Sequence, residues 1–203
     1  LKFNSYLDLH KWSVENKSDF WKEVWKFTKI IGDLKGEIYI NHQEFIKCKF
    51  FESSKINFSE NCLAKDDDSD AIIFYSENNL RRSFSWKQLR EIVFKLSYFL
   101  KSNNVGKFDR IAAVLPNIPE TAVSFLSSSQ IGAIWTSCSS DFGEKAIIDR
   151  FKQIEPKVLL VTDYYYYNKK KINTINVVPK ILSNIPSIEK IIVIPYEKER
   201  ANL

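Results

Sequence analysis

The chain has 203 residues and a formal net charge of +5, from 30 Lys and Arg against 25 Asp and Glu. Its 44% hydrophobic and 14% aromatic residues are too many for a disordered chain, and its 27% charged residues exclude a membrane-spanning protein. No basic stripe with interleaved aromatic residues is present, so we expect neither a nucleic-acid partner nor a membrane partner.

Cysteine usage predicts a reducing compartment. Cys48, Cys62 and Cys138 are an odd number of cysteines at wide spacing, which fits neither a disulfide framework nor a four-ligand zinc site. We therefore expect three free, buried thiols and a cytoplasmic location. The chain also contains no Met and stops just past a strand-like run, which predicts that it is a piece of a longer protein.

The amino-terminal part is predicted to be helical and rich in aromatic rings. Ser5 caps a helix over residues 5–16, and a second helix starts at Ser18 and ends at Gly32. The apolar stripe of this second helix consists of Phe20, Val24, Phe27 and Ile31. Aromatic rings at helical spacing indicate packing more than ligand stacking, and the rings concerned are those of Trp12, Trp21 and Trp25.

An acidic turn, a hairpin and a capped helix are predicted next. The acidic run 66–70 lacks the glycine and the distal Glu of a calcium loop, so we interpret it as a solvated turn and expect no metal site. Strands at residues 71–75 and 82–84 flank an Asn-containing turn. Ser85 and Gln88 then form a capping box. The buried stripe of the helix that follows consists of Leu89, Ile92, Val93, Leu96, Phe99 and Leu100.

Regular alternation of strands and helices begins near residue 110. Strands are predicted at residues 110–115, 133–138, 157–162 and 190–194, and helices at residues 117–132, 143–154 and 172–185. Helices between consecutive strands predict parallel pairing, so the fold class is α/β with an open, mainly parallel sheet. Ligands of such sheets bind beyond the carboxyl ends of the strands, which makes the loops after Leu115, Cys138 and Thr162 the candidate sites.

Each of these loops is open to more than one interpretation. In the first, Asn117 and Glu120 are predicted to cap the next helix, and the carboxylate argues against anion binding. The second, residues 137–143, lacks the lysine and repeated glycines of a phosphate loop, so ligand contact and a structural turn remain equally open. The third, residues 163–171, has tyrosines followed by lysines. That composition suits either a nucleotide with a terminal phosphate or an exposed low-complexity loop.

Three segments of this region resemble the acetoacetyl-CoA synthetases, which are acyl-adenylate-forming (AMP-binding) ligases. The segments are residues 109–123, 131–143 and 149–159, and the most specific stretch reads Ser137-Cys138-Ser139-Ser140-Asp141-Phe142-Gly143. Acetyl-CoA synthetases usually carry Gly-Gly-Phe-Ser at that place. Residues 50–63 are similar to the end of the N-terminal cap of acetyl- and acetoacetyl-CoA synthetases, with Phe50 where a Trp is usual.

The resemblance implies the domains, the reaction and the cofactors. It implies an N-terminal helical cap over residues 1–64 and the first portion of the AMP-binding domain of acyl-adenylate-forming ligases over residues 65–203. The whole enzyme would use ATP and Mg²⁺ to convert acetoacetate to acetoacetyl-AMP and pyrophosphate, and would then form acetoacetyl-CoA from CoA. The phosphate-loop and adenylation-lysine motifs of the family are not found in these residues. We therefore name no catalytic and no metal residue, and we expect the chain alone to be inactive.

The resemblance also implies CoA-binding residues. Tyr167, Lys169 and Lys170 would hold the adenine and 3′-phosphate end of CoA, and the family commonly has Arg at the positions of Tyr167 and Lys170. Phe142 and Gly143 would line the pantetheine tunnel. The implied setting is cytoplasmic lipid metabolism and ketone-body utilisation, with small-molecule substrates and the rest of the chain as partners. Two alternatives stay open: a ligase for acetate, propionate or another short acid, and a non-catalytic remnant that binds CoA or a protein.

Overall fold

The computed structural model describes residues 2–197. The chain divides into two compact units, Leu1–Asn61 and Cys62–Leu203, and each is described by itself. The first unit contains helices α1 (Tyr6–Glu15) and α2 (Lys17–Phe27), strands β1 (Gly32–Asp33), β2 (Tyr39–Ile40), β3 (Lys49–Phe50) and β4 (Lys55–Ile56), and most of helix α3 (Phe58–Cys62). Strand β1 pairs with β4 and β2 with β3, both antiparallel. The Ser5 hydroxyl accepts a hydrogen bond from the Asp8 N–H at 3.2 Å, which confirms the predicted cap of α1.

Helix α2 ends earlier than predicted. It stops at Phe27, and the Thr28 hydroxyl donates a hydrogen bond to the Val24 carbonyl at 2.7 Å. Lys29 then adopts a left-handed backbone with φ of 54°, which cannot continue a right-handed helix. The prediction that Gly32 ends the helix is therefore wrong, because Gly32 lies in β1.

Aromatic rings pack on one another within the first unit. The ring centres of each tryptophan and a phenylalanine lie 5.2 to 6.2 Å apart, in the pairs Trp12–Phe20, Trp21–Phe50 and Trp25–Phe51. This agrees with the packing interpretation of the tryptophans. The predicted stripe of α2 is wrong at its carboxyl end, since Phe27 is 88% exposed and Ile31 is 40% exposed.

The second unit opens with the predicted hairpin and capped helix. They are β5 (Asp70–Tyr75), β6 (Arg81–Ser85) and α4 (Trp86–Ser102). The Ser85 hydroxyl accepts from the Gln88 N–H at 3.2 Å, and the Gln88 side chain accepts from the Ser85 N–H at 2.9 Å. The capping box is therefore confirmed. The predicted burial is wrong for one residue of the stripe, because Phe99 is 48% exposed.

A parallel sheet forms the centre of the second unit. The remaining strands are β7 (Arg110–Val114), β8 (Ile134–Cys138), β9 (Val158–Thr162), β10 (Tyr164–Tyr167), β11 (Lys170–Asn173) and β12 (Lys190–Ile194). The remaining helices are α5 (Pro119–Gln130), α6 (Glu144–Lys152) and α7 (Val178–Asn184). The sheet has the order β12-β9-β7-β8, and all its pairings are parallel. The predicted α/β class with an open parallel sheet is confirmed.

Both faces of this sheet are buried. Along β7, Ile111 and Ala113 belong to one apolar cluster, whereas Ala112 and Val114 belong to another. All residues of β9 are buried as well. Such burial is typical of parallel strands covered by helices on both faces. It holds the carboxyl ends of the strands, and the loops that leave them, in fixed positions.

The predicted cap of α5 is wrong. The helix begins at Pro119 after Ile118, and no side chain caps it, so Asn117 does not have the predicted role. The Glu120 carboxylate instead accepts two hydrogen bonds from the Arg82 guanidinium of β6, one of them 3.0 Å long.

The helix predicted over residues 172–185 is shorter than expected. Ile172 lies in β11, and α7 begins only at Val178, with Pro179 in its first turn. Pro179 therefore helps to start the helix rather than interrupting it, because proline lacks an N–H and its fixed φ suits a first turn.

Candidate functional site

A pocket of about 280 Å³ lies at the carboxyl end of β7. Its walls come from the end of β7, the loop between β8 and α6, and the strands β10 and β11 with the segment after them. Phe142 and Gly143 line it, and so do Tyr165 and Ile172. The structure therefore brings the second and third candidate loops together around one cavity.

The third candidate loop is a hairpin. Strands β10 and β11 pair antiparallel, and Asn168 and Lys169 form their two-residue turn with φ values of 49° and 60°. Two successive left-handed residues give a turn whose twist matches that of the paired strands. Tyr164 and Tyr165 are only 2% and 8% exposed. The interpretation as an exposed loop is therefore wrong for the root of the hairpin.

One face of the hairpin leads from the pocket to the hairpin tip. Tyr165 pairs with Ile172, and both line the pocket, while Tyr167 pairs with Lys170 two residues farther along the strands. Side chains alternate between the faces of a strand, so the second pair lies on the same face, about 7 Å farther from the pocket. The face thus carries a phenol and an aliphatic side chain in the pocket, and a phenol and an ammonium group at the tip.

Lys171 lies on the opposite face. Its Nζ atom is 3.6 Å from the centre of the Tyr164 ring. That ring is 6.0 Å from the Tyr166 ring and 5.6 Å from the Tyr196 ring. Lys171 is therefore engaged by an aromatic cluster and does not share the face that lines the pocket.

The predicted CoA residues fall into two groups. Phe142 and Gly143 lie in the pocket, whereas Tyr167, Lys169 and Lys170 are exposed at the hairpin tip and do not line it. Within residues 2–197, the ammonium groups of both lysines take part in no ion pair. Two ammonium groups outside any ion pair, beside a tyrosine ring, can bind an anionic group attached to a flat ring.

Asp163 holds the root of the hairpin, and the sequence analysis missed it. Its carboxylate is 1% exposed and accepts hydrogen bonds from the N–H groups of Tyr164 and Tyr196, both at 2.9 Å. The Thr174 hydroxyl, just after β11, donates to the Thr162 carbonyl at 2.6 Å. These bonds fix both ends of the hairpin at the end of β9. An acidic residue directly after a fully apolar strand was the signal that could have revealed this role.

Burial determines the chemistry of the Cys138 thiol. The side chain is 6% exposed at the end of β8, and burial raises its pKa from the usual 9.0 to about 11. The thiol is thus protonated at neutral pH, which makes it a poor nucleophile. All three cysteines are free, but the expectation that all are buried is wrong, because Cys62 is exposed and Cys48 is partly exposed.

Metal and membrane features were searched over residues 2–197. No group of three His, Cys, Asp or Glu side chains that could hold a metal ion occurs there. None of the helices in this part of the chain has the length and apolar character needed to cross a membrane.

Comparisons with known proteins find similar proteins over most or nearly all of the chain. The family model described as AMP-binding enzyme matches residues 58–202. Acetoacetyl-coenzyme A synthetase of Rhizobium meliloti (strain 1021) is 36% identical over 99% of this chain, and acetoacetyl-CoA synthetase of Gallus gallus is 32% identical over 100% of it. The chain spans only 31% of the length of each relative. The solved structure of acetoacetyl-CoA synthetase from Streptomyces lividans superposes with a TM-score of 0.88 at 29% identity, over 98% of this chain and 31% of that one.

Proposed function

Because the chain belongs to the AMP-binding enzyme family, we propose that it is the amino-terminal part of an acetoacetate–CoA ligase. The main observation behind this proposal is that the chain is similar over 99–100% of its length to relatives named acetoacetyl-CoA synthetase. It spans 31% of the length of those relatives. The stretch from Ser137 to Gly143 supports acetoacetate rather than acetate as the acid. In this proposal residues 1–64 form the cap, and residues 65–203 begin the AMP-binding domain.

The complete enzyme would carry out two transfers. A carboxylate oxygen of acetoacetate attacks the α-phosphorus of ATP and displaces pyrophosphate, giving acetoacetyl-AMP. The sulfur of CoA then attacks the acyl carbon, and AMP leaves with the electron pair of the broken C–O bond. Both steps need hydrogen-bond donors or cations directed at the oxygen atoms on which negative charge develops in the transition state. The proposal includes that the chain alone is inactive, because it spans only 31% of the length of the relatives it matches.

The proposed role of this chain is to bind CoA along the β10–β11 hairpin. The pantetheine arm would lie in the pocket between Tyr165 and the segment Phe142–Gly143. The adenine would stack on Tyr167, and the 3′-phosphate would meet Lys169 and Lys170. The support is geometric: one hairpin face runs continuously from the pocket to the tip, and the ammonium groups there have no ion-pair partner within residues 2–197.

A cytoplasmic setting in lipid metabolism, such as ketone-body utilisation, is part of the same proposal. Its support is that the three thiols are free, with Cys62 exposed, as is usual where glutathione keeps thiols reduced.

The test is an assay of the intact gene product that contains these residues, together with its mass. With ATP, Mg²⁺ and CoA, we expect the highest kcat/KM for acetoacetate among acetoacetate, acetate, propionate and butyrate, measured as pyrophosphate release and as acyl-CoA. A preference for acetate or propionate would contradict acetoacetate as the substrate and leave the proposed two-step mechanism unaffected. A product of only 203 residues that activates no acid would contradict the ligase proposal.

A further inference from the structure

The tip of the β10–β11 hairpin is tied to a second hairpin far away in the sequence. Glu77, in the turn between β5 and β6, accepts a hydrogen bond from the backbone N–H of Lys169 at 3.1 Å, across a separation of 92 residues. The donor is the backbone of the turn, so the Lys169 ammonium stays unengaged. Lys169 has a φ of 60°, which is uncommon for a residue with a side chain. A bond at this point stabilises a conformation that the residue itself does not favour.

A second connection joins the same turn to the root of the hairpin. The Asn78 amide donates to the Glu197 carboxylate, which also accepts from the Tyr164 hydroxyl at 2.9 Å. Burial, and then the bond to Glu197, raise the pKa of the Tyr164 phenol, so it remains a donor at neutral pH. The β5–β6 turn therefore contacts the hairpin directly at its tip and through Glu197 at its root.

The β5–β6 turn is itself well fixed and can serve as a support. The Ser76 N–H donates to the Leu80 carbonyl at 3.0 Å, and the Leu80 N–H donates to the Ser76 hydroxyl at 3.0 Å. Asn79 takes the left-handed conformation of the turn with φ of 63°. Asn adopts that conformation more readily than most residues.

We propose that Glu77 is a positioning residue for the 3′-phosphate of CoA, acting through the backbone of Lys169. The inference rests on the proposed CoA-binding role of the hairpin. By holding the N–H of Lys169, the carboxylate fixes the turn from which Tyr167 and Lys170 project on the pocket face. Its own negative charge repels a phosphate. Loss of the charge alone would tighten CoA binding, whereas loss of the positioning bond would weaken it, so the two effects have opposite signs.

The experiment compares Glu77→Ala and Glu77→Gln in the intact gene product, with CoA and 3′-dephospho-CoA as substrates. Gln keeps an oxygen that can accept the Lys169 N–H, whereas Ala does not. We expect Glu77→Ala to raise KM for CoA about fivefold to tenfold, the size expected for loss of one charge-assisted hydrogen bond. KM for dephospho-CoA should rise less than KM for CoA, and kcat at saturating CoA should not change. Glu77→Gln keeps the acceptor and loses the repelling charge, so its KM for CoA should be equal to or below the wild-type value. Glu91→Ala, which removes an exposed carboxylate paired with Lys95, is the matched control.

Hydrogen exchange provides a readout that does not depend on the ligand. In Glu77→Ala the peptide that contains Lys169 should exchange faster than in the wild type, whereas peptides of β7 and β9 should be unchanged. Unchanged exchange, or a Glu77→Ala enzyme that still prefers CoA over dephospho-CoA as strongly as the wild type, would overturn the positioning role and leave the hairpin site intact. Equal KM values of the wild type for the two substrates would refute the phosphate site and this inference together.

Discussion

Neighbouring lysines at the hairpin tip have different surroundings. Lys170 lies on the face that continues from the pocket, and its ammonium has no ion-pair partner in the described part of the chain. Lys171 points to the other face, where its Nζ lies on the Tyr164 ring. Alternation along a strand thus places adjacent, chemically identical residues in separate surroundings.

This contrast makes the two lysines a matched pair of variants. In the intact protein, Lys170→Ala should raise KM for CoA about tenfold, because a charge-assisted bond to phosphate is lost. KM for 3′-dephospho-CoA should stay the same. Lys171→Ala should leave the ratio of the two KM values unaltered, although it can lower stability through the lost cation–π contact. Equal effects of both variants would contradict the assignment of the pocket face.

The buried thiol of Cys138 gives a prediction for reactivity and pH. Its pKa of about 11 lies above the usual 9.0, so the native state holds the proton more tightly than the unfolded state does. The free energy of unfolding should therefore be insensitive to this group below pH 9 and fall as the pH rises towards 11. At pH 8 iodoacetamide should modify the exposed Cys62 and leave Cys138 unmodified until denaturant is added, as read by peptide mass spectrometry. Equal labelling of Cys62 and Cys138 in the native protein would contradict the burial of the Cys138 thiol.

At the scale of elements, an ion pair joins the β5–β6 hairpin to α5. The Arg82 and Glu120 side chains meet in a two-pronged arrangement and are only 25% and 27% exposed. Water screens such a pair less than it screens a fully exposed one. The contact places the start of α5, and so the loop after β7, against the second strand of the hairpin.

Loss of this pair should destabilise the protein measurably. Glu120→Ala should lower the free energy of unfolding by about 1–2 kcal/mol, since it leaves a half-buried guanidinium without its carboxylate. Glu91→Ala removes an exposed pair of similar chemistry, with side chains 62% and 70% exposed, and should lower the free energy of unfolding clearly less. Urea unfolding monitored by tryptophan fluorescence and circular dichroism would measure both. If Glu120→Ala and Glu91→Ala lower the free energy of unfolding equally, the Arg82–Glu120 pair contributes no more than an exposed charge pair.

At the scale of the molecule, the chain consists of two compact units joined near residue 61. Residues 64–70 are exposed throughout, and no helix or strand lies between the end of α3 at Cys62 and the start of β5 at Asp70. Exposed segments without regular structure are the preferred sites of proteolytic cleavage.

Limited proteolysis should therefore separate the units. Brief treatment with trypsin should cut first after Lys65, while Lys95, exposed but inside α4, is cut later because a helix must unfold to enter the protease. Mass spectrometry of the first fragments would identify the bond. Early cleavage in α4 or β7, before Lys65, would contradict the two-unit division. The same fragments would test the predicted boundary between residues 64 and 65.

The amino-acid sequence by itself determined the elements whose signals are local. Strands β7, β8, β9 and β12 follow apolar β-branched runs, and the capping box of Ser85 and Gln88 lies within four consecutive residues. The parallel sheet followed because helices separate its strands. The sequence also indicated Phe142, Gly143, Tyr167, Lys169 and Lys170, through a family resemblance that local patterns did not supply.

The tertiary structure alone decided the contacts between distant residues. Glu120 had the spacing of a capping residue, yet it pairs with Arg82, 38 residues away. Glu77 and Lys169 meet only because two hairpins lie side by side, and the pocket exists only because the loop after β8 faces the hairpin after β9. Periodicity reports which side of an element is buried, but the partner of a polar side chain depends on which elements the fold brings together.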